Sequence, residues 1–290
     1  MESSFLTAVF LPLALFFIML GMGLGLTVTD FRRVLTSPKP VLLGVAAQLV
    51  MLPLLGFGLA TIFPLSPELA VGVIILAACP GGPTSNLVSY LVKGNVALSI
   101  TLTAISSLVT VFTIPFVVNL GMQQFLNEAV VLRLPFLETV LQIAVITLVP
   151  VSLGMVLHAY LPRFAARVEK GVKWLSLFFL ALIIVGLLVK ERANVAGFLL
   201  QVGWVTLTLN VLAMGLGYGI ATFAKLDNPS AKAISVEVGI QNGTLAIAVA
   251  TTLLDNSTMA IPAAIYSLLM FLTSAIFAGI VRQQFQTTLG

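Results

Sequence analysis

Between its charged residues the chain runs in long uncharged stretches, at 3–29, 40–67, 69–92, 94–127, 139–162, 174–189, 193–224, 233–254 and 256–281, with only Glu237 interrupting the eighth. A helix that crosses a bilayer needs about 17–25 mostly apolar residues, and nine of them at about 22 each take about 200. In a chain of 290 residues that leaves short connections and no room for a separate aqueous domain. Charged residues make up 8% of the chain, against roughly 25% in an ordinary soluble domain, too few to solvate a globule of this size. A β-barrel would alternate polar and apolar residues over short strands, whereas Val41–Leu55 is interrupted only by Gln48. The expected fold class is an all-α polytopic membrane protein: nine transmembrane helices in one domain spanning 1–290. Phe5–Val28 reads as a true first span, because no basic segment precedes it and no small-residue cleavage site follows.

Basic residues set the expected orientation. With the amino terminus outside and the carboxy terminus in the cytoplasm, the inner loops hold Arg32, Arg33, Lys39, Lys93, Arg163, Arg167, Lys170, Lys173, Lys225, Lys232 and Arg282, while the outer loops hold only Arg133, Lys190 and Arg192. The outer side collects Glu2, Glu68, Glu128, Glu138, Glu191 and Asp255, so the net charge of +4 reports topology and implies no nucleic acid partner. Cys79 is the single cysteine and His158 the single histidine, which excludes a disulfide framework and a zinc cage.

Two spans carry helix breakers at their middles. The third contains Cys79-Pro80-Gly81-Gly82-Pro83-Thr84-Ser85-Asn86, where two prolines remove backbone donors. The eighth contains Glu237-Val238-Gly239-Ile240-Gln241-Asn242-Gly243-Thr244, with an acid and two amides that must find partners away from lipid. Each break lies in the middle member of a helix triplet, 40–120 and 193–283, and the charge pattern sends the two triplets into the membrane from opposite sides. An inverted repeat with an interrupted helix in each half points to a midplane binding site.

Glu237 is the only acid within an expected span. At 1.5 Å per residue from Ala233 it sits about 6 Å deep, shallow enough for an interfacial carboxylate. Intramembrane acids are, however, usually functional, and Gln241 and Asn242 follow within five residues, beside unwound backbone whose carbonyls suit a hard cation. Ser85 and Asn86 close the first break, and Ser99 and Thr103 stand one turn apart on the fourth span, a set of oxygens that together resembles a cage. Gln48 is the sole strongly polar residue inside the second span. Helix amino termini after each break favour an anionic group near Thr84 and near Asn242, Gly243 and Thr244. Gly21, Gly23 and Gly25 permit close helix approach, and His158 reads as a helix-end cap.

Pro80-Gly81-Gly82 with Ser85-Asn86, then Lys93-Gly94-Asn95-Val96-Ala97-Leu98-Ser99, then Glu237-Val238-Gly239-Ile240-Gln241-Asn242, resemble the bile acid sodium symporter family over almost the whole chain. The resemblance implies a core domain (about 40–120 and 197–283) with two crossing broken helices, and a panel domain (about 5–28 and 136–190). It also implies two sodium ions. Ser85, Asn86, Ser99, Thr103 and Glu237 resemble the first site, and Gln48, Glu237, Val238, Ile240 and Gln241 the second, Val238 and Ile240 through backbone carbonyls. Many bacterial members have ten spans, and this chain starts where their second would. Pro83 stands where many relatives carry a small or polar residue.

The expected function is therefore sodium-coupled symport of an organic anion, a bile acid or a smaller carboxylate or sulfonate, by alternating access in the cell membrane. Its expected partners are the anion and the bilayer, with no obligatory protein partner. An intramembrane enzyme is disfavoured, since no nucleophile–base pair or metal set lies within the spans. A proton-coupled carrier and a ligand-sensing receptor or channel are the rival readings. The orientation has a direct check: a cysteine placed at Asn194 should be labelled from outside intact cells and one at Ala166 should not, and the reverse pattern would overturn it.

Overall fold

The computed structural model describes residues 10–126, 135–190 and 195–289. The expected outer-face residues Glu2, Glu128, Arg133, Glu191 and Arg192, the start of the first span at Phe5 and the labelling position Asn194 lie outside them. Among the described residues the elements are helices: α1 (Leu11–Leu24), α2 (Val28–Thr36), α3 (Pro38–Ala46), α4 (Leu52–Ile62), α5 (Pro67–Ala78), α6 (Thr84–Leu91), α7 (Val96–Phe125), α8 (Phe136–Tyr160), α9 (Pro162–Lys190), α10 (Val195–Phe223), α11 (Asn228–Gly239), α12 (Gly243–Ala248) and α13 (Ile261–Leu289). Six are long and apolar enough to cross a bilayer: Pro38–Ile62, Val96–Phe125, Phe136–Tyr160, Pro162–Leu187, Gly197–Phe223 and Thr258–Val281. The bent pair Leu11–Leu24 and Val28–Thr36, at 60°, adds a seventh. Large apolar side chains such as Leu54, Phe112, Leu141 and Leu200 stand exposed around these helices, as lipid-facing positions do. The molecule is an all-α polytopic membrane protein.

The remaining two expected spans are not plain helices. The first is split into α5 and α6 by Cys79–Pro83, and the second into α11 and α12 by Ile240–Asn242. Breakers explain the first: Pro80 and Pro83 have no N–H to donate, and Cys79 is already extended (φ −74°, ψ 155°). In the second, Ile240 takes an extended conformation (φ −107°, ψ 107°), and the side chain of Asn242 accepts from Leu245 N–H at 3.0 Å to start the next helix. No described glycine has positive φ, so the glycines here supply close approach, not left-handed backbone.

The breaks pass one another in contact. Gly81 and Gln241 form an isolated antiparallel bridge; Gly82 N–H donates to the Ile240 carbonyl at 3.1 Å, and Asn242 N–H to the Pro80 carbonyl at 2.9 Å. A Cβ on Gly82 would lie 3.1 Å from the Gln241 carbonyl oxygen. Backbone donors and acceptors freed by each break are thus satisfied by the other, which is what allows irregular chain at membrane depth.

Around this crossing α1, α8 and α9 pack on one another, while α3 to α7 and α10 to α13 surround the breaks. At the α1–α8 crossing the backbones touch: a Cβ on Gly23 would run into the Val151 carbonyl, and one on Gly154 would meet Gly23 C at 2.7 Å. His158 Nδ1 donates to the Leu24 carbonyl at 2.6 Å and so caps the end of α1. The capping expected of this histidine is made toward a neighbouring helix. The segment 163–173, expected as a loop from its charges, instead forms the first turns of α9 behind Pro162, which needs no N–H at a helix start. Charge marks depth in a membrane but does not end a helix.

The α1–α8 contact gives a stability prediction. Gly154→Ala should destabilise by about 1–3 kcal/mol through overpacking, seen as a lowered melting temperature of the purified protein. Gly58→Ala, whose Cβ meets nothing within 4 Å, should leave it unchanged or raised.

Candidate functional site

The centre of the site is the carboxylate of Glu237, near the end of α11 and fully buried (0% exposed). Ser85 on α6 donates to its Oε2 at 2.7 Å, Ser99 on α7 donates to the same oxygen at 2.8 Å, and Thr103 one turn further along α7 donates to Oε1. The interfacial reading of Glu237 is therefore wrong. Depth counted along its own helix ignores α6 and α7, which come from more than a hundred residues earlier in the chain and cover the carboxylate. Gly81 lies against it as well: a Cβ there would strike Glu237 Oε1 and reach 3.4 Å from Gln48 Nε2. Only a residue without a side chain lets the first break pass so close.

A second group adjoins the first. Gln48 sits in a π-helical turn, Ala47–Met51, between α3 and α4. Pro53, just beyond, cannot donate to the helix ladder. Such turns often mark functional positions, and this one holds a buried amide whose Nε2 is 3.5 Å from Gln241 Oε1. Gln241 Nε2 in turn donates to the Val238 carbonyl at 2.7 Å. The Ile240 carbonyl accepts from Gly82 N–H, which leaves its second lone pair for another partner.

Of the expected cage residues, Ser85, Ser99, Thr103 and Glu237 are in direct contact, and Gln48, Gln241 and Val238 form a linked chain. Asn86 does not hydrogen-bond Glu237; its Oδ1 is buried with no hydrogen-bond partner. Among the described residues no three His, Cys, Asp or Glu side chains cluster. The donors are hydroxyl, amide and carbonyl oxygens around one carboxylate, a set for a hard cation and not for zinc.

Beside this cluster lies a cavity of about 340 Å³. Its inner end is made by the breaks: Gly82, Pro83, Thr84, Asn86, Gln241, Asn242, Gly243 and Thr244. All four residues expected near an anion (Thr84, Asn242, Gly243, Thr244) line it. Asn242 uses Oδ1 to cap α12 and leaves Nδ2 buried without a partner. Ile18, Met22 and Leu26 of the first helix and its exit form one wall, and Glu169, Ser176 and Leu180 of α9 another.

Sequence reasoning missed several contributors. Glu169 lines the cavity from within the charged segment 163–173, and the signal that could have placed it was Pro162 as a helix start. Asn210 and Tyr266 bond the Gly239 carbonyl from α10 and α13, at 2.7 Å and 2.8 Å. Asn210 is an amide in the middle of an apolar span, the same signal that singled out Gln48. Lys232, buried in the first turns of α11, is held below the usual lysine range first by burial and then by the neighbouring charge of Lys93.

A helical membrane protein with two interrupted helices crossing beside a buried carboxylate and an enclosed cavity has the build of a secondary transporter. Comparison with known proteins specifies it. Residues 12–198, more than half of the chain, match the model of the Sodium Bile acid symporter family, and the chain belongs to that family. It is 34% identical over 266 residues to the protein of Bacillus subtilis (strain 168) named "Uncharacterized sodium-dependent transporter YocS", covering 90% of this chain and 79% of the relative. It is 31% identical over 265 residues to the Oryza sativa subsp. japonica protein named "Probable sodium/metabolite cotransporter BASS2, chloroplastic", covering 90% of this chain and 61% of that one. It is 32% identical over 269 residues to the Arabidopsis thaliana protein named "Probable sodium/metabolite cotransporter BASS1, chloroplastic", covering 91% and 65%. The chain thus spans less than two thirds of the two plant relatives. The family and the first of these relatives are sodium-dependent transporters, not enzymes, and sodium is the coupling ion they imply.

Proposed function

We propose that the chain carries a small organic anion across the cell membrane together with two sodium ions, by alternating access. The observation that carries this reading is the fully buried Glu237 carboxylate, ringed by hydroxyls of the other repeat. Ser85, Asn86, Ser99, Thr103 and Glu237 would hold one ion, with the partnerless Asn86 Oδ1 as a ready ligand. Gln48, Glu237, Gln241 and the carbonyls of Val238 and Ile240 would hold the other. For this the Gln241 amide turns its oxygen inward, releasing Val238. The three hydroxyls now donate to the carboxylate; on ion arrival their oxygens face the cation and their protons turn elsewhere, the Ser99 carbonyl, 3.0 Å from the Thr103 hydroxyl, being the alternative acceptor for that proton.

Coupling follows from electrostatics. An anion entering a low-dielectric cavity next to an ionised Glu237 is repelled, and two cations at the carboxylate turn that repulsion into attraction. The anion is received at Thr84, at the unpaired Nδ2 of Asn242 and at Gly243 and Thr244. A cavity near 340 Å³ is at the small end of ligand sites, and it favours a short carboxylate or sulfonate over a steroid acid. The names of the plant relatives, sodium/metabolite cotransporters, agree with a small cargo.

Counting each interrupted pair as one span gives nine spans, with the amino terminus outside. The helices that meet at the breaks (spans two to four and seven to nine) act as the core, and α1, α8 and α9 as the panel. The cavity lies between them and runs from the breaks toward Tyr90, Val96 and Leu26, residues near the cytoplasmic ends of their helices. The site therefore faces inward.

Glu237→Gln keeps the shape of the side chain and removes its charge, so the stabilisation that sodium confers on the purified protein by mass action should be lost. Sodium-driven uptake into proteoliposomes should be lost with it. Glu138→Gln, exposed in the first turn of α8, should retain both. An unchanged sodium response in Glu237→Gln sinks both ion sites. Uptake driven by a pH gradient and insensitive to sodium would make the carrier proton-coupled, and anion binding with no uptake at all would make it a sensor.

A further inference from the structure

We infer that Asn210 and Tyr266 are positioning residues for the second sodium site, holding the Gly239 carbonyl away from the ion so that the carbonyls on either side of it face inward. The inference rests on the two-sodium reading above. Where α11 ends, three successive carbonyls are in question, and each has a different partner. Val238 is bonded by the Gln241 amide and Ile240 by Gly82 N–H, both groups of the breaks themselves. Gly239 between them accepts from Asn210 Nδ2 at 2.7 Å and from Tyr266 OH at 2.8 Å, donors on α10 and α13.

Two donors fill both lone pairs of a carbonyl oxygen. The Gly239 oxygen thus has no capacity left for a cation, while Val238 and Ile240 each have one donor and keep one lone pair. Satisfying the middle carbonyl from outside fixes the plane of the peptide joining Gly239 to Ile240. The same clamp selects which oxygens are ligands. Both clamping residues are fully buried, so neither bond competes with water. Gly239 itself sits flush against Met214 of α10, where a Cβ would collide with the methionine side chain. The backbone is thereby pressed against the helix that carries Asn210.

The clamp has a feature that plain structural bracing does not require. Asn210 Oδ1 is buried with no hydrogen-bond partner. An aliphatic residue of similar shape would remove that orphan acceptor and cost little or nothing in packing, yet an amide stands here. Its donating end accounts for its presence.

The test is a sodium titration of the purified protein by thermal shift, with potassium holding ionic strength constant. Each variant is referred to its own melting temperature without sodium. Tyr266→Phe keeps the ring and loses the donor, and Asn210→Leu keeps the shape and loses both donor and orphan. In either variant the sodium concentration that gives a set rise in melting temperature should increase by about two- to twelve-fold, the range for one net hydrogen bond. The steepness of the sodium response should fall toward that of a single ion. Ser274→Ala removes a hydrogen bond of the same helix to its own Met270 carbonyl and should leave the sodium requirement unchanged. If Tyr266→Phe and Asn210→Leu alter only the sodium-free melting temperature, the clamp is mere bracing and the inference is overturned. Glu237→Gln in the same titration separates the two levels. If its sodium response is normal, the two-sodium reading itself has failed; if it is abolished while both clamp variants titrate like the parent, only the clamp has failed.

Discussion

One carboxylate buried among hydroxyls governs the architecture. Taking an ionised group out of water costs several kcal/mol even after relaxation, and Glu237 meets this with three hydroxyl donors drawn from α6 and α7. Those helices follow the first break and Glu237 precedes the second, so the bond set also fastens the two interrupted helices together. Close passage needs Gly81 and Gly82 at the crossing and the exchange of backbone bonds between the breaks. The prolines that break the first helix, the extended Ile240 and the π turn bearing Gln48 all serve that one junction.

The first helix is tied to the same junction. α2 leaves the first helix at a 60° bend, with its start fixed by the Asp30 carboxylate, which accepts from Thr27 N–H and hydroxyl at 2.8 Å and 2.7 Å. Arg33 then donates to the Ala97 carbonyl at 2.7 Å and to Thr101 at 3.2 Å, tying α2 to α7. A helix that continues from α1 is therefore anchored to the element that carries Ser99 and Thr103. Between α1 and α8, by contrast, the glycine contacts are backbone on backbone, a closely packed seam.

Much of this was legible in the sequence because membranes impose simple rules. Uncharged length gave the spans, Pro80 and Pro83 gave the first break, and an acid beside two amides gave the second. Hydroxyls one turn apart at Ser99 and Thr103 pointed to one helix face, and that face meets Glu237. What stayed hidden depends on neighbours distant in sequence. The burial of Glu237 comes from α6 and α7, not from its place in α11. The π turn at Gln48 follows from backbone register, and the helical start of α9 overrode a charge pattern that read as loop. Asn210 and Tyr266 could have been flagged as polar groups in apolar spans, but their shared target, one carbonyl, exists only once α10, α11 and α13 pack together.

The most direct measurement is a pair of experimental structures, one in sodium and one in potassium. The account predicts two sodium-dependent densities, one among Ser85, Asn86, Ser99, Thr103 and Glu237 and one among Gln48, Glu237, Gln241 and the carbonyls of Val238 and Ile240, with the hydroxyl protons turned away from the carboxylate. A carboxylate that keeps its three hydroxyl donors in sodium, with no density beside it, would contradict the account.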